Sequence, residues 1–178
     1  MRIVGGKFKG RQFDPGKKFS SRPTTDMAKE NLFNILQNRI DFEAIRVLDL
    51  FAGTGSISFE FASRGCPDVT SVEVNYHHYN FITKIIREIG TPAIRPVKAN
   101  VFRFIEQTTE SFDLVFADPP FDLPGFAGIP EKIFAAGVMA KGGIFILEHS
   151  GSFDFSNLPG WKEMRNYGTV HFSFFEKG

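Results

Sequence analysis

The sequence lacks the features that would assign it to a secreted or membrane protein. Its 178 residues include one cysteine, Cys66, so the chain cannot form an internal disulfide, and a reducing cytoplasm is the expected compartment. No apolar run reaches the ~20 residues that a membrane-spanning helix needs. Residues 1–6 have no apolar core of the kind found in a signal peptide. These absences predict a cytoplasmic protein without a membrane partner.

Signatures of several enzyme classes are also missing. The four histidines, at positions 77, 78, 149 and 171, show no metal-ligand spacing with cysteine or carboxylate residues, so no bound metal is expected. The sequence contains neither the Gly-Lys-Ser/Thr of a P-loop nor a Ser-His-Asp arrangement. Phenylalanine is abundant instead, with 22 residues, and most of these rings are expected in the core.

Charge is distributed unevenly, although the formal net charge is only +1. Residues 1–30 contain eight lysines and arginines against three acids, whereas the rest of the chain contains 13 basic and 17 acidic residues. A basic N-terminal segment on an acidic body indicates that a polyanion binds at that end. The alternative is a solvated segment with scattered lysines, and charge alone does not separate the two.

The stretch from Val47 to Ile57 organises the rest of the chain. Val47 to Leu50 predicts a buried strand, and Gly53-Thr54-Gly55 predicts a tight turn from which a helix begins at Ser56. A strand that breaks into Gly-x-Gly and continues as a helix is typical of the first crossover of a doubly wound α/β sheet. Glycines permit the sharp turn and let a ligand lie against the backbone, and the helix N-terminus offers N–H groups to it.

The remaining elements complete a mostly parallel α/β sheet with a small β appendage before it. Further strands are predicted at 69–74, 94–98, 112–117 and 143–148, and helices at 25–40, 56–63, 77–89, 101–107 and 130–136. Runs at 161–167 and 169–176 meet at Tyr167-Gly168, which predicts a terminal antiparallel hairpin. Residues 1–13 predict one or two short strands, so we divide the chain into a basic appendage and loop (1–24) and an α/β domain (25–178).

Polar residues follow several of the predicted strands at the edge where such sheets bind ligands. Gly53 and Gly55 would make room for a nucleoside-like ligand, and Asp49 would hold the turn or receive an ammonium group. Glu73 ends the next strand, where a carboxylate can accept the hydroxyls of a ribose. A surface glutamate at a strand end is the alternative. Asn100-Val101 reaches the same edge.

Asp118-Pro119-Pro120-Phe121 is the most specific motif in the sequence. The amine of a nucleobase or an amide is a poor nucleophile, because its lone pair is delocalised. A carboxylate and a backbone carbonyl that prolines hold in place can both accept from that amine and direct its lone pair at an electrophile. The aromatic ring of Phe121 offers a face on which the base can stack. A surface turn is the alternative, and the position of the motif one strand from the glycine turn favours the functional interpretation.

The chain resembles class I S-adenosylmethionine-dependent methyltransferases, and more closely the RsmD family of 16S ribosomal RNA guanine-N2 methyltransferases. The resemblance covers nearly the whole length and rests on these segments: Arg2–Gly6, Gly10-Arg11, Arg22–Asp26, Glu30–Phe33, Asp49–Ser56, Ser63–Gly65 and Asp118–Phe121. Two positions differ from the usual family pattern, since Asn100 stands where aspartate is frequent and Phe121 where tyrosine is more frequent.

The resemblance implies a seven-stranded sheet whose last strand is antiparallel, and roles for individual residues. S-adenosyl-L-methionine would lie against Gly53 and Gly55 with Asp49 and Phe51 beside it, Glu73 would hold its ribose, and Asn100-Val101 would flank its adenine. Asp118 and the Pro119 carbonyl would orient the guanine N2 amine, and Phe121 would stack on the flipped base. A monomer is expected, with ribosomal RNA phosphates bound by the basic residues Arg2, Lys7, Lys9, Arg11 and Arg22.

Three other functions remain open at this point. An amino-methyltransferase of the same fold could act on adenine in DNA or on a protein glutamine, although such enzymes favour asparagine at the first position of the Pro-Pro loop. A nicotinamide-dependent dehydrogenase would need a third glycine where Ser58 stands. A non-catalytic RNA-binding or assembly protein could retain the fold.

Overall fold

Seven strands form one sheet in the computed structural model, which describes residues 1–16 and 25–178. In chain order the strands are β1 (Arg46–Leu50), β2 (Asp68–Glu73), β3 (Ile94–Lys98), β4 (Phe112–Ala117), β5 (Met139–His149), β6 (Trp161–Tyr167) and β7 (Val170–Glu176). Across the sheet they are ordered β3-β2-β1-β4-β5-β7-β6. Strands β1 to β5 pair in parallel, and β7 is antiparallel to both of its neighbours. The predicted fold class is confirmed, including the antiparallel strand that ends the chain.

In the described parts of the chain, five α-helices connect and cover the strands: α1 (Asp26–Leu36), α2 (Ser56–Ser63), α3 (Tyr76–Ile89), α4 (Val101–Gln107) and α5 (Ile129–Ala136). Side chains cap three of them at the N-terminus, since Thr25, Asn75 and Asn100 accept backbone N–H groups of the first turn. The helix predicted to reach about Ile40 ends at Leu36, because the hydrogen bonds there tighten to i→i+3 spacing through the polar residues 37–39.

Apolar side chains form a core on each face of the sheet. On one face α1, α2 and α3 contribute Leu32, Phe61, Ile82 and their neighbours. On the other face α4 and α5 pack against Leu48, Leu50 and the strands beside them. Cys66 is buried in the first core, and burial raises the pKa of its thiol to about 11, which favours the structural role over a nucleophilic one.

The N-terminal segment differs from the predicted strands. Its two ends are joined by one antiparallel bridge between Arg2 and Gln12, and a 3₁₀ turn at Gly6–Phe8 lies between them. Backbone hydrogen bonds still join residues 1–3 to residues 10–13, but the residues between them turn towards α2, where the Val4 and Phe8 N–H groups donate to the side chains of Glu60 and Ser63. Ile3 and Phe13 lie in the same core as α1 to α3. The predicted domain boundary at residue 24 lies outside the described residues and stays a prediction.

Strand β5 is longer than predicted, since it begins at Met139 and not at Gly143. The polar, glycine-containing run Lys141–Gly143 has the composition of a loop, yet Met139 pairs with Phe112 of β4 across an irregularity in the register. None of the helices in the described parts of the chain has the length and apolar content of a membrane span.

Asp49 at the end of β1 fixes the start of α2. Its carboxylate is 1% exposed and accepts hydrogen bonds from the Ser58 N–H, at 3.1 Å, and from the Ser58 hydroxyl. Burial raises the pKa of Asp49 to about 7, and the nearby Glu73 carboxylate acts in the same direction, whereas the Ser58 hydrogen bonds oppose both. The polar position 58 inside an apolar helix is therefore explained by this bond.

We expect Asp49 to make the stability of the fold depend on pH. Because its pKa is higher in the folded state than in the unfolded chain, where it is about 4, the folded state retains a proton that the unfolded state releases, and stability decreases as the pH rises towards 7. Asp49→Asn keeps an oxygen for the Ser58 N–H and cannot ionise. Between about pH 5 and about pH 8, the wild-type free energy of unfolding should fall by roughly 1–3 kcal/mol more than that of the variant. Urea unfolding at both pH values measures this, and parallel losses in the two proteins would contradict it.

Candidate functional site

The glycine turn and the Asp-Pro-Pro-Phe loop meet at the centre of the sheet. Strands β1 and β4 are neighbours in parallel register, with Leu50 opposite Ala117, so both loops leave the sheet at its carboxyl edge. The Asp118 N–H also donates to the Leu50 carbonyl at 3.4 Å. Two motifs that are distant in the chain therefore lie side by side at one edge of the sheet, which we call the rim.

The two glycines of the turn are required for different structural reasons. Both have left-handed backbone angles, with φ of 55° at Gly53 and 75° at Gly55. A Cβ atom at Gly55 would lie 3.0 Å from side-chain carbons of both Ile82 and Phe59, so this glycine permits close packing in the core. A Cβ atom at Gly53 would meet only the Phe51 carbonyl oxygen, at 3.9 Å, and would otherwise project into open space. Gly53 is thus the glycine of the turn that a ligand can approach.

Phe51 carries the only positive φ, 59°, found at a non-glycine residue within the described chain. Such backbone strain clusters at functional sites. The Phe51 ring packs edge-on against Phe102, with the ring centroids 6.0 Å apart. Helix α2 begins at the same turn, and its N-cap Gly55 supplies no side chain to its first N–H groups. The Ser58 N–H of this first turn is taken by Asp49, which leaves the N–H groups of Ser56 and Ile57 for a polar ligand.

Glu73 connects the end of β2 to the glycine turn. It is 7% exposed, and its two carboxylate oxygens accept from the Gly53 N–H and the Asn75 N–H, both at 2.7 Å. Each carboxylate oxygen can accept more than one hydrogen bond, so capacity remains for hydroxyl groups of a ligand. The sequence placed Glu73 near the turn, but the direct bond to Gly53 is visible only in the folded chain.

Asn100 and Val101 reach the same rim from β3. The Asn100 side-chain oxygen caps α4 by accepting from the N–H groups of Phe102 and Arg103, at 3.0 and 3.2 Å. Its side-chain NH₂ group is the part that stays available for a ligand. Val101 is buried beside it. A groove of about 640 Å³ opens here between β3 and α4.

In the Asp-Pro-Pro-Phe loop, Pro119 is buried and Asp118 is partly buried, whereas Phe121 is 44% exposed. The Phe121 ring rests edge-on against Phe126, which stacks on Phe153 with the ring centroids 4.4 Å apart. The loop is therefore supported by two further rings and presents Phe121 at the surface. A large exposed aromatic side chain at this rim is suited to stacking on a planar ligand.

The basic residues of the N-terminal segment lie along helix α2. Lys7, Lys9 and Arg11 are exposed, and Lys7 and Arg11 flank the ring of Phe8. The Phe8 N–H donates to the Ser63 hydroxyl at the C-terminal end of α2, so the segment 7–9 lies one length of this helix, roughly 12 Å, from the rim. Arg2 lies near the rim and forms an ion pair with Asp26 at 2.8 Å. Arg22 lies outside the described residues.

Sequence reasoning missed the buried polar residues that attach this segment. Glu60 is fully buried in α2, accepts from the Val4 N–H at 2.9 Å and pairs with Arg64. Lys29 is 1% exposed and donates to the Arg2 carbonyl and, at 2.9 Å, to the hydroxyl of Ser56, the first residue of α2. Burial lowers the pKa of Lys29, while the Glu60 and Asp26 carboxylates act against that shift. The one signal of this attachment that the sequence offers is Glu60, a charged residue among the apolar residues of α2.

Comparisons with known proteins agree with this architecture. The chain is 33% identical over 121 residues to ribosomal RNA small subunit methyltransferase D of Escherichia coli (strain K12), an alignment that covers 68% of this chain and 60% of that protein. The aligned region therefore spans about three fifths of the length of that relative. A solved structure of a hypothetical protein from Thermus thermophilus matches with a TM-score of 0.87 and 28% identity, over 99% of both chains.

A second solved structure shares the fold at lower identity. It is described as the 16S rRNA N2 G1207 methyltransferase (RsmC) of Thermus thermophilus in complex with AdoMet and guanosine. It matches with a TM-score of 0.71 and 22% identity, over 89% of this chain and 45% of that one. A family model described as conserved hypothetical protein 95 matches residues 1–176. The chain therefore belongs to this family, which is the RsmD family.

Proposed function

We propose that the protein is an S-adenosylmethionine-dependent methyltransferase that modifies the exocyclic N2 amine of a guanine in small-subunit ribosomal RNA. The observation that carries the proposal is the meeting of Asp118 with the glycine turn at one rim, through the bond to the Leu50 carbonyl. The relatives named as ribosomal RNA small subunit methyltransferase D support the reaction and the substrate class. The guanine N2 position rests on the family resemblance.

The residues at the rim fit a nucleoside cofactor. The open space beside Gly53 admits a ligand against the backbone, and Glu73 lies where a ribose would place its hydroxyls. Asn100 and Val101 would flank the adenine end of the cofactor. Asp49 and Gly55 would shape the turn from inside the protein. Phe51, which packs against Phe102, would form one wall of the cofactor site. When bound, S-adenosyl-L-methionine would supply an electrophilic methyl group at this rim.

Asp118, Pro119 and Phe121 are the proposed catalytic residues. The Asp118 carboxylate and the Pro119 carbonyl accept from the two N–H bonds of the guanine amine and so turn its lone pair away from the ring. The ring of the buried Pro119 fixes its φ and the following Pro120 restricts its ψ, so the direction of the Pro119 carbonyl is fixed. Phe121 offers its exposed ring to the base. The contribution of the chain to the reaction is thus orientation of the amine and acceptance of hydrogen bonds from it.

The remaining parts of the proposal concern partners. Ribosomal RNA phosphates would contact Lys7, Lys9 and Arg11, which are exposed, and also Arg2 and Arg22. Because Arg2 is already paired with Asp26, it can bind an RNA phosphate only if the phosphate replaces the Asp26 carboxylate. We infer a monomer acting in the cytoplasm, where an assembling subunit provides the RNA.

A methylation assay with RNA, DNA and peptide substrates distinguishes this function from the alternatives. With labelled cofactor, small-subunit RNA fragments should be modified, whereas duplex DNA and a glutamine-containing peptide should not. Transfer to DNA or peptide alone would favour the rival methyltransferases. A dehydrogenase is disfavoured by Ser58, whose hydroxyl bonds to the buried Asp49 where that class needs glycine.

We expect Asp118→Ala to lower kcat for RNA methylation by roughly 100-fold or more, because the amine loses its charged acceptor. The affinities for RNA and for the cofactor should stay near the wild-type values. Asp122→Ala is the matched control, since this carboxylate is exposed in the same loop. Single-turnover assays and calorimetry measure both quantities. An Asp118→Ala protein with wild-type kcat would leave the non-catalytic assembly role as the better account.

Gly53→Leu should abolish cofactor binding, since the new side chain would fill the open space at the turn. Gly90→Leu is the control, because Gly90 has a similar left-handed φ of 67° and no atom within 4 Å of its Cβ direction, but lies at the far end of α3. Both variants carry similar backbone strain. Isothermal titration calorimetry with S-adenosyl-L-methionine gives the comparison. Equal affinities in the two variants would remove Gly53 from the pocket.

Replacing Lys7, Lys9 and Arg11 together by glutamine should weaken RNA binding and reduce its salt dependence. Loss of three phosphate contacts lowers the slope of log K against log salt by about 2. The control replaces Lys84, Arg87 and Lys141, which are also exposed and have the same total charge. Filter binding at several salt concentrations measures the slope. An unchanged slope would exclude the N-terminal segment from the RNA interface.

A further inference from the structure

Three exposed cations lie on the α4 side of the rim, away from the N-terminal segment. Lys98 ends β3, Arg103 lies in the first turn of α4, and Lys132 lies on α5. Together with Tyr76, the first residue of α3, they form what we name the α4 rim patch. None of its members was assigned a role above.

The cations of this patch are not neutralised by the protein. Arg2, Arg46 and Arg64 each pair with a carboxylate. By contrast, Lys98, Arg103 and Lys132 form no ion pair with any carboxylate of the described residues. On a body whose sequence is net acidic after residue 30, three uncompensated positive charges at one rim favour an external anion.

Aromatic rings accompany these charges. The Lys98 ammonium lies 5.1 Å from the centroid of the Tyr76 ring, and the Lys132 ammonium lies 4.4 Å from that of Phe102. Tyr76 is 59% exposed, which is unusual for so large a side chain. Cations beside an exposed aromatic ring are a combination that binds single-stranded nucleic acid, because phosphates meet the charges and a base stacks on the ring.

The adjoining groove has matching chemistry. It measures about 640 Å³, and its polar lining consists of Lys98, Asn100, Arg103, Gln107 and Thr108, with no aspartate or glutamate among the described residues that line it. Its apolar floor includes Val97 and Phe104. Apart from Asn100, which the proposed function assigns to the cofactor, two cations and two neutral hydrogen-bonding groups surround the apolar floor. Such a lining is complementary to a chain that carries both phosphates and bases.

We propose that the α4 rim patch is a second RNA-binding surface, which binds the phosphates of a single-stranded segment next to the target nucleotide and stacks one of its bases on Tyr76. The identity of the polyanion as RNA rests on the proposed function. The N-terminal segment lies against α2 on one face of the sheet. Of the patch, Arg103 and Lys132 lie on α4 and α5 on the other face, whereas Lys98 and Tyr76 lie at the carboxyl edge, where β3 ends and α3 begins. RNA that contacts both crosses the rim that carries Gly53 and Asp118.

The test replaces Lys98, Arg103 and Lys132 together by glutamine and measures binding of a small-subunit RNA fragment at several salt concentrations. The slope of log K against log salt should fall by about 2, because three phosphate contacts are lost. The control is the triple replacement of Lys84, Arg87 and Lys141, which removes the same charge from exposed positions elsewhere and should leave the slope unchanged. Thermal unfolding confirms that each variant is folded.

Two further measurements separate this inference from its alternatives. Tyr76→Leu should lower RNA affinity about 5-fold at an unchanged salt slope, because stacking and not charge is lost. The cofactor affinity of the triple variant should equal that of the wild type. The proposal is overturned if the salt slope of the triple variant equals that of the control. It is also overturned if the triple variant loses cofactor affinity in parallel, since that result would assign the patch to the adenine pocket. Absence of methylation by the wild type would instead refute the proposed function, since the binding assay does not depend on turnover.

Discussion

Two buried carboxylates hold the turn on which the site depends. Glu73 binds the Gly53 amide from the neighbouring strand, and Asp49 binds Ser58 from inside the protein, so the turn between β1 and α2 is fixed at both of its ends. Each carboxylate is removed from water and is stabilised by hydrogen bonds from backbone or hydroxyl groups. A turn held in this way keeps Gly53 open to a ligand without rearrangement, which is the condition for binding a cofactor in a defined orientation.

The register of the sheet brings the second half of the site to this turn. Because β1 and β4 are parallel neighbours, the loop that carries Asp118 leaves the sheet beside the loop that carries Gly53. The stacked rings of Phe126 and Phe153 then support Phe121 from the far side. The proposed donor and acceptor sites are thus positioned by strand pairing and aromatic packing, both of which are rigid elements of the fold.

The N-terminal segment is attached to the same helix that begins at the glycine turn. Glu60 and Ser63 accept backbone N–H groups of the segment, and Lys29 joins the Arg2 carbonyl to Ser56. These bonds satisfy backbone groups of residues 4–8, so pairing within the segment is limited to its two ends, which backbone bonds of Ile3 and Phe13 join. Any RNA that contacts the segment is therefore held in a fixed relation to the start of α2.

The sequence by itself determined the order of strands and helices, the glycine turn, and the motif Asp118–Phe121, because periodicity, glycine and proline act over a few neighbouring residues. It did not determine that Gly55 faces Ile82 in the core while Gly53 faces open space, since both have the same local pattern. Nor did it reveal the buried Lys29 and Glu60, or the uncompensated cations Lys98, Arg103 and Lys132. Only the tertiary structure decided these features, because burial and charge pairing depend on residues that are distant in the chain and become neighbours when the sheet forms.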